Sequence, residues 1–492
     1  MNKEKTFNFN ILDIDNRIFE MADKPKTLEQ EDLQMVAGGK INNKFVSGSL
    51  ASLLILTNAG GNTPNNVNAA DVSAVSVSDI QKLNQTERAS EHFTRQQVIQ
   101  DINYVIDTIK KCHVGCSNGI PEEVLKQKEL EIKNLSEKTN LVEEWRIISR
   151  ILAKLHDAHS TALPPQFLCG SRLPFDIEFN DNKFFCTNGE FKNAEITEIN
   201  GIKIFDIYQN FKLNFSYEIE EWAHVNFFRS AAFFTRSILA KSGIDTFKPV
   251  EITFSTDSGI KTRKFEFVPI ELESIHRLPF VSYKIDKENS VGIFTLNECR
   301  FDKEYINEVD KFFADVASNS VKNVIVDLRK NTGGSSQVAE YFAMYLKNLE
   351  NIKIKKYEER IDGKVQTFKI KYTQEELKNF QADKNLFSGK VFILTSNVTF
   401  SSGMLFARDF SDNNLATLVG EIPGNSPTSF GDIFNHIYYT PNSKLEFSTT
   451  YKKFYRPDST KDPSRLIPDV QVAAKDALNK VYEIIKKDAV KP

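Results

Sequence analysis

Two adjacent serines, Ser401 and Ser402, stand in the stretch TFSSGMLFARDFSDNN, behind the apolar run VFILTSN and ahead of a helical pattern. Serine at such a place has two chemistries. As an N-cap, its side chain accepts a hydrogen bond from a free N–H of the first helical turn. As a nucleophile, it attacks a carbonyl while the positive end of the helix and its unpaired N–H groups stabilise the oxyanion. A nucleophile needs a base, and HDAHSTALPP offers His156 and His159 where a helical pattern meets a loop. Two histidines three apart can instead share a helix face toward a metal. The glutamate-bearing zinc helix motif is absent, however, and no third ligand is evident, so the reading includes no metal and no organic cofactor. In NVIVDLRKNTGG a strand-like run leads directly into Gly333 and Gly334. N–H groups at such a turn are free, and without a Cβ a substrate carbonyl approaches closely. Either Gly333 or Gly334 then supplies one oxyanion donor, with the N–H of Ser402 as the other.

Composition narrows the classes. The chain has 492 residues, 40% of them hydrophobic and 26% charged, enough for two or three globular domains with their own cores. A net charge of −3 provides no basic face for phosphates, and NTGGSS lacks the lysine of a phosphate-binding loop, so nucleic acid is excluded as a partner. Five scattered cysteines form no disulfide framework. Cys112 and Cys116 flank His113 in KKCHVGC, but no second ligand pair follows, and they read as packing residues at a helix end.

The elements that must position these residues follow from periodicity. TRQQVIQDINYVIDTIKK and LVEEWRIISRILAKL repeat apolar residues at helical spacing. From PFDIEFNDNKFFCTN to TRKFEFVPI the signals are short strands, interrupted by a helical insert around YEIEEWAHVNFFRSAAFFTRSILAKS. Beyond residue 288 strand, helix and strand alternate, which predicts an α/β layer with functional loops at strand ends. The N-terminal segment TLEQEDLQMVAGG carries Leu28, Leu33 and Val36 at helical spacing into Gly38 and Gly39. The apolar stretch that begins at Phe45 is shorter than the ~20 residues of a membrane span. It reads as a signal-like segment or as a sticky part of the mature chain, followed by a flexible linker.

Two resemblances join these observations. TLEQEDLQMVAGG resembles the double-glycine leader of bacteriocin-type secretion substrates. That resemblance implies a peptidase-containing ABC transporter as partner, cleavage after Gly39, and a secreted or cell-envelope location outside a bacterial cytoplasm. HDAHST, DLRKNTGG, TFSSGMLFARDFSDNNLATLVGE and LIPDVQV, in that order, resemble the C-terminal processing and tricorn-like serine peptidases, the tail-specific protease superfamily. The resemblance implies a crotonase/Clp-like catalytic core, Ser401 as nucleophile and a peptide or protein as substrate. Many members use a lysine base after a GE motif; here Gly420 and Glu421 lead to Ser426 at that position. This departure is similar to the histidine-base branch of tricorn and the chlamydial protease-like activity factor, and it implies His159 of the DAH motif as base. In that branch a glutamate six positions before the proline of a C-terminal motif orients the histidine. Counting back from Pro468 reaches Asp462, with Asp458 and Glu446 as competitors.

The expected architecture is mixed α/β. It comprises a leader (1–39), an apolar segment and linker (40–93), a helical N-terminal domain (94–164), a PDZ-like β-rich domain (165–287) and a crotonase-like core (288–492). The weak PDZ resemblance rests on GEFKNAEITEINGIKI, and the helical insert departs from it. The expected function is a secreted serine endopeptidase. A catalytically inactive peptide binder on the same fold and a bacteriocin-like exported effector are the alternatives.

Overall fold

The computed structural model describes residues 5–7 and 88–490, apart from short gaps at 181–182, 231–233, 271–277, 348, 350–351 and 434–435. Gly38, Gly39 and the apolar segment after Phe45 lie outside the described residues. The chain is mixed α/β, as the alternation of patterns predicts.

Helices α1 (Arg95–Cys112), α2 (Glu122–Asn134) and α3 (Leu141–Ala153) open the body. Thr94 and Gln97 form a capping box that starts α1, satisfying two of its free backbone donors. Val98, Ile102, Val105, Ile106 and Ile109 recur on one face of α1 and are buried against Trp145, Ile148 and Leu152 of α3 in one apolar cluster. The turn after α3 carries Asp157 and His159 into strand β1 (Thr161–Ala162).

An antiparallel sheet follows, in the order β6–β5–β4–β3–β2. Its strands are β2 (Ile177–Asn180), β3 (Lys183–Cys186), β4 (Glu195–Ile199), β5 (Val250–Thr256) and β6 (Gly259–Phe265). Between β4 and β5 the chain inserts α4 (Ile204–Leu213), α5 (Glu220–Ser230) and α6 (Arg236–Lys241). Phe184, Phe211, Phe227, Phe234 and Phe254 fill the space between sheet and insert, all fully buried.

The last layer is a sheet in the order β7–β8–β9–β12–β13–β17. Strand β7 (Val281–Asp286) is antiparallel to β8 (Val291–Leu296), whereas β8, β9 (Asn323–Asp327), β12 (Lys390–Thr395), β13 (Thr417–Gly420) and β17 (Val470–Gln471) run parallel. Val324 and Val326 of β9 face a core shared with α7 (Lys303–Ser318), α8 (Gln337–Ala343) and α9 (Ser402–Asp412). Ile325 between them faces α10 (Ala477–Val490) on the other side. Burial of both faces explains why this strand reads as an unbroken apolar run. The hairpin β10 (Lys355–Ile361) and β11 (Lys364–Ile370) continues through β16 (Lys452–Tyr455) to β14 (Ser429–Gly431). Strand β15 (Glu446–Ser448) pairs with β1 and fastens the His159 turn to the C-terminal half. Among the described residues no helix is long and apolar enough to cross a membrane.

Candidate active site

In an open parallel sheet, the loops leaving the carboxyl ends of the strands converge on a crevice that binds ligands. Here the loops after β8, β9, β12 and β13 meet at one place. Ser401 lies in the loop after β12 and has φ 53° and ψ −127°, a backbone conformation that costs an L-residue about 1–3 kcal/mol. Its side chain makes no capping hydrogen bond to α9. Instead Oγ lies 3.0 Å from Nε2 of His159, 242 residues away in sequence. An ordinary N-cap has an extended backbone and bonds its own helix; Ser401 does neither.

Neighbouring loops hold this corner. The N–H of Ser401 donates to Oδ1 of Asn425 in the loop after β13, at 2.8 Å. Gly333 packs so tightly that a Cβ there would sit 2.6 Å from the Cβ of Ser401. Asn331 ties the glycine turn down, donating from Nδ2 to Leu296 O and accepting from the Gly333 N–H at 2.8 Å. That last bond corrects one expectation: the N–H of Gly333 is already used, so Gly333 contributes closeness and not a donor. The N–H groups of Gly334 and Ser402 have no hydrogen-bond partner among the described residues. The Ser402 hydroxyl donates to Gly334 O at 2.6 Å and joins the two donor-bearing residues.

The His159 ring is buried, tilted by 33° against Phe400 at 4.8 Å, and Phe400 stacks on Trp222 of α5 at 3.9 Å. Burial lowers the imidazole pKa below its ordinary value, opposed by the charges of Asp157 and Asp432. Ser448 fixes the His159 backbone by donating to its carbonyl at 2.8 Å. Asp157 is fully buried and accepts from the His159 N–H (2.9 Å), Ser160 Oγ (2.5 Å), Thr450 Oγ1 (2.7 Å) and His113 Nε2 (3.2 Å). Because His113 Nδ1 accepts from the Gly115 N–H, its Nε2 bears the hydrogen and donates. Burial pushes the Asp157 carboxyl up, but the His113 and Ser160 hydrogen bonds, together with the electrostatic pull of the His113 and His159 rings, hold it down at about 2.

Glu218, just before α5, comes next to this pair: a ring nitrogen of His159 and one carboxylate oxygen each from Asp157 and Glu218 lie within 4.8 Å of one another. Such a trio has the donor types of a metal site. The lone pairs of Asp157 Oδ2 are already engaged by His113, Ser160 and Thr450, which argues for a hydrogen-bonded network.

Several expected residues are not brought here. Asp462 caps its own turn, accepting from the N–H and hydroxyl of Ser464 at 2.8 and 2.6 Å. An aspartate before a proline satisfies local donors in this way, and its carboxylate is spent at the surface. The competitors are also occupied elsewhere: Asp458 pairs with Lys353 at 2.7 Å and Glu446 accepts from Tyr439 at 3.0 Å. Ser426, at the position of the expected lysine, contributes its backbone N–H to Glu218 Oε2 at 2.8 Å. The KKCHVGC segment is more than helix-end packing, since its His113 holds Asp157. Its histidine was visible as a potential ligand, but Glu218 had no local signal at all.

Parallel-strand loops converging on a strained serine and a buried histidine define a serine-type peptidase. Residues 290–472, the stretch that carries Ser401, match the model of Peptidase family S41, and the chain is a serine-type peptidase. The fold is similar to that of mature CPAF, alone and complexed with lactacystin. Each superposes with a TM-score of 0.54 at 13% identity, covering 80% of this chain and 96% and 97% of those chains. The photosystem II D1 C-terminal processing protease aligns over 80% of this chain and 98% of its own at 12% identity, with a TM-score of 0.42. At such identity the likeness to CPAF is one of fold.

Proposed function

We propose that the protein is an exported endopeptidase in which Ser401 is the nucleophile and His159 the general base. The observation that carries this reading is the 3.0 Å contact between Ser401 Oγ and His159 Nε2, made from a strained backbone that leaves the serine uncommitted to its own helix. A neutral imidazole at Nε2 accepts the serine proton as Oγ attacks a peptide carbonyl, then returns it to the leaving amine. The N–H groups of Gly334 and Ser402 flank Ser401 and receive the oxyanion. A lowered imidazole pKa serves this role, because it keeps the base unprotonated near neutrality. The substrate is a peptide or protein. Export rests on TLEQEDLQMVAGG, with a peptidase-containing ABC transporter as partner and cleavage after Gly39.

The test is labelling with a fluorophosphonate followed by mass spectrometry of the modified peptide. The label is expected on Ser401, and Ser401→Ala should lose both label and hydrolysis of labelled casein while keeping its circular dichroism spectrum. Label on Ser402, or turnover by Ser401→Ala, overturns the assignment.

A further inference from the structure

When His159 Nε2 accepts from Ser401, the hydrogen of the neutral ring resides on Nδ1. Nδ1 is buried and makes no hydrogen bond. Asp157 Oδ1 is 3.8 Å away, beyond hydrogen-bonding distance, and already accepts from the backbone N–H of His159. Oε1 of Glu218 is likewise sealed from solvent and unpartnered. The other oxygen of that carboxyl, Oε2, is fixed by the N–H of Ser426 at 2.8 Å, and the backbone of Phe430 on β14 also bonds the carboxyl. A donor without an acceptor and an acceptor without a donor therefore sit in one buried cluster, and such atoms are normally paired.

We propose that Glu218 is the positioning acid of His159, its Oε1 accepting the Nδ1 hydrogen directly or across one water, and that Glu218 and Asp157 together hold a single negative charge against the imidazolium. This rests on the reading of Ser401 and His159 as nucleophile and base. Two carboxyls in one sealed space cannot both ionise freely. Asp157 is the ionised member, held by His113, Ser160 and Thr450. Glu218 is the protonated member, raised by burial and by the Asp157 charge against the backbone N–H groups of Ser426 and Phe430 and the charge of Lys453. Asp432 is the remaining charged group that acts on the imidazole. A protonated carboxyl oxygen still accepts a hydrogen bond. Glu218 thus fixes the tautomer and ring plane without placing a second charge beside Asp157. Raising the pH ionises Glu218, and the added negative charge then favours the imidazolium formed during acylation.

The experiment compares Glu218→Ala and Glu218→Gln in the full chain, measuring kcat and KM on labelled casein across pH, with fluorophosphonate labelling alongside. Glu218→Ala is expected to lower kcat by ~10²-fold with KM within about twofold, the size of a lost acid–base contribution. Glu218→Gln keeps the shape of the protonated acid and its acceptor for Ser426, so most of kcat returns. It should lack the rise in kcat with increasing pH that ionisation of Glu218 gives the unsubstituted enzyme. An unchanged kcat in Glu218→Ala, or a Glu218→Gln profile identical to that of the unsubstituted enzyme, overturns the proposal. The Gln variant decides the matter even where the Ala variant fails to fold. Activity in Ser401→Ala would instead overturn the underlying nucleophile; inactive Ser401→Ala and His159→Ala beside unaffected Glu218 variants would remove Glu218 alone.

Discussion

On its serine side, His159 meets loops that leave the ends of neighbouring parallel strands; on its acid side it meets segments drawn from three separate parts of the fold. Ser401 and Gly333 follow β12 and β9, which are hydrogen-bonded to each other, so their approach is a consequence of strand register. His113 and Asp157 are 44 residues apart, Glu218 and Ser426 are 208 apart, and hydrogen bonds to the two carboxyls join them. The serine side is set by backbone geometry and tolerates little change in shape. The acid side is set by polar pairing in a sealed space, where a removed partner leaves a buried group unsatisfied.

This contrast is open to measurement, and the largest effect belongs to the residue both sides share. His159→Ala should lower kcat by roughly 10³-fold or more, within the range seen when a triad member is removed. In the unsubstituted enzyme kcat/KM should fall on acidification with a midpoint below the ordinary histidine value of 6.5, because burial lowers the His159 pKa and the neutral base persists further into acid. A midpoint above 6.5 would mean that the acid side dominates over burial. Next comes Gly333→Ala, which tests backbone closeness on the serine side. Its Cβ collides with Ser401 at a position of φ 110°, and the variant should lose about 10²-fold in kcat and roughly 1–3 kcal/mol in urea unfolding. Full activity there would show that the corner is loosely packed. Asn425→Ala removes the acceptor for the Ser401 N–H and should cost about tenfold in kcat, with KM nearly constant, as expected for roughly one lost hydrogen bond. The smallest effect is expected of Asp462→Asn, where kcat should stay within about twofold, since this carboxylate only closes its own exposed turn. A collapse of kcat in Asp462→Asn would move the orienting acid back to the C-terminal segment.

The two sides also differ in how far they could be read from sequence. VFILTSN before TFSSGM and NVIVD before NTGG are strand-to-turn signals complete within a dozen residues, and they locate Ser401, Ser402, Gly333 and Gly334. Which glycine keeps a free N–H was not readable, because it depends on where the Asn331 side chain turns. His159 was found through its DAH motif. Its orienting partner was sought along the chain at Asp462, where a proline-bounded turn accounts for the aspartate. The helical insert that departs from a PDZ-like pattern is the part that carries Glu218 and sets Trp222 under Phe400. As a sequence, YEIEEW shows only an acidic start to a helix.

By itself, then, the sequence determined the mixed α/β architecture, the serine at a strand-to-helix turn and the glycines beside it, because each is written in contiguous periodicity and turn chemistry, whereas His159 was singled out by the resemblance of its DAH motif. Tertiary structure alone decided which carboxyls surround the histidine. A carboxylate's role depends on which charges and donors share its buried space, and that neighbourhood exists only once the insert, the α3 turn and the loop after β13 have packed together.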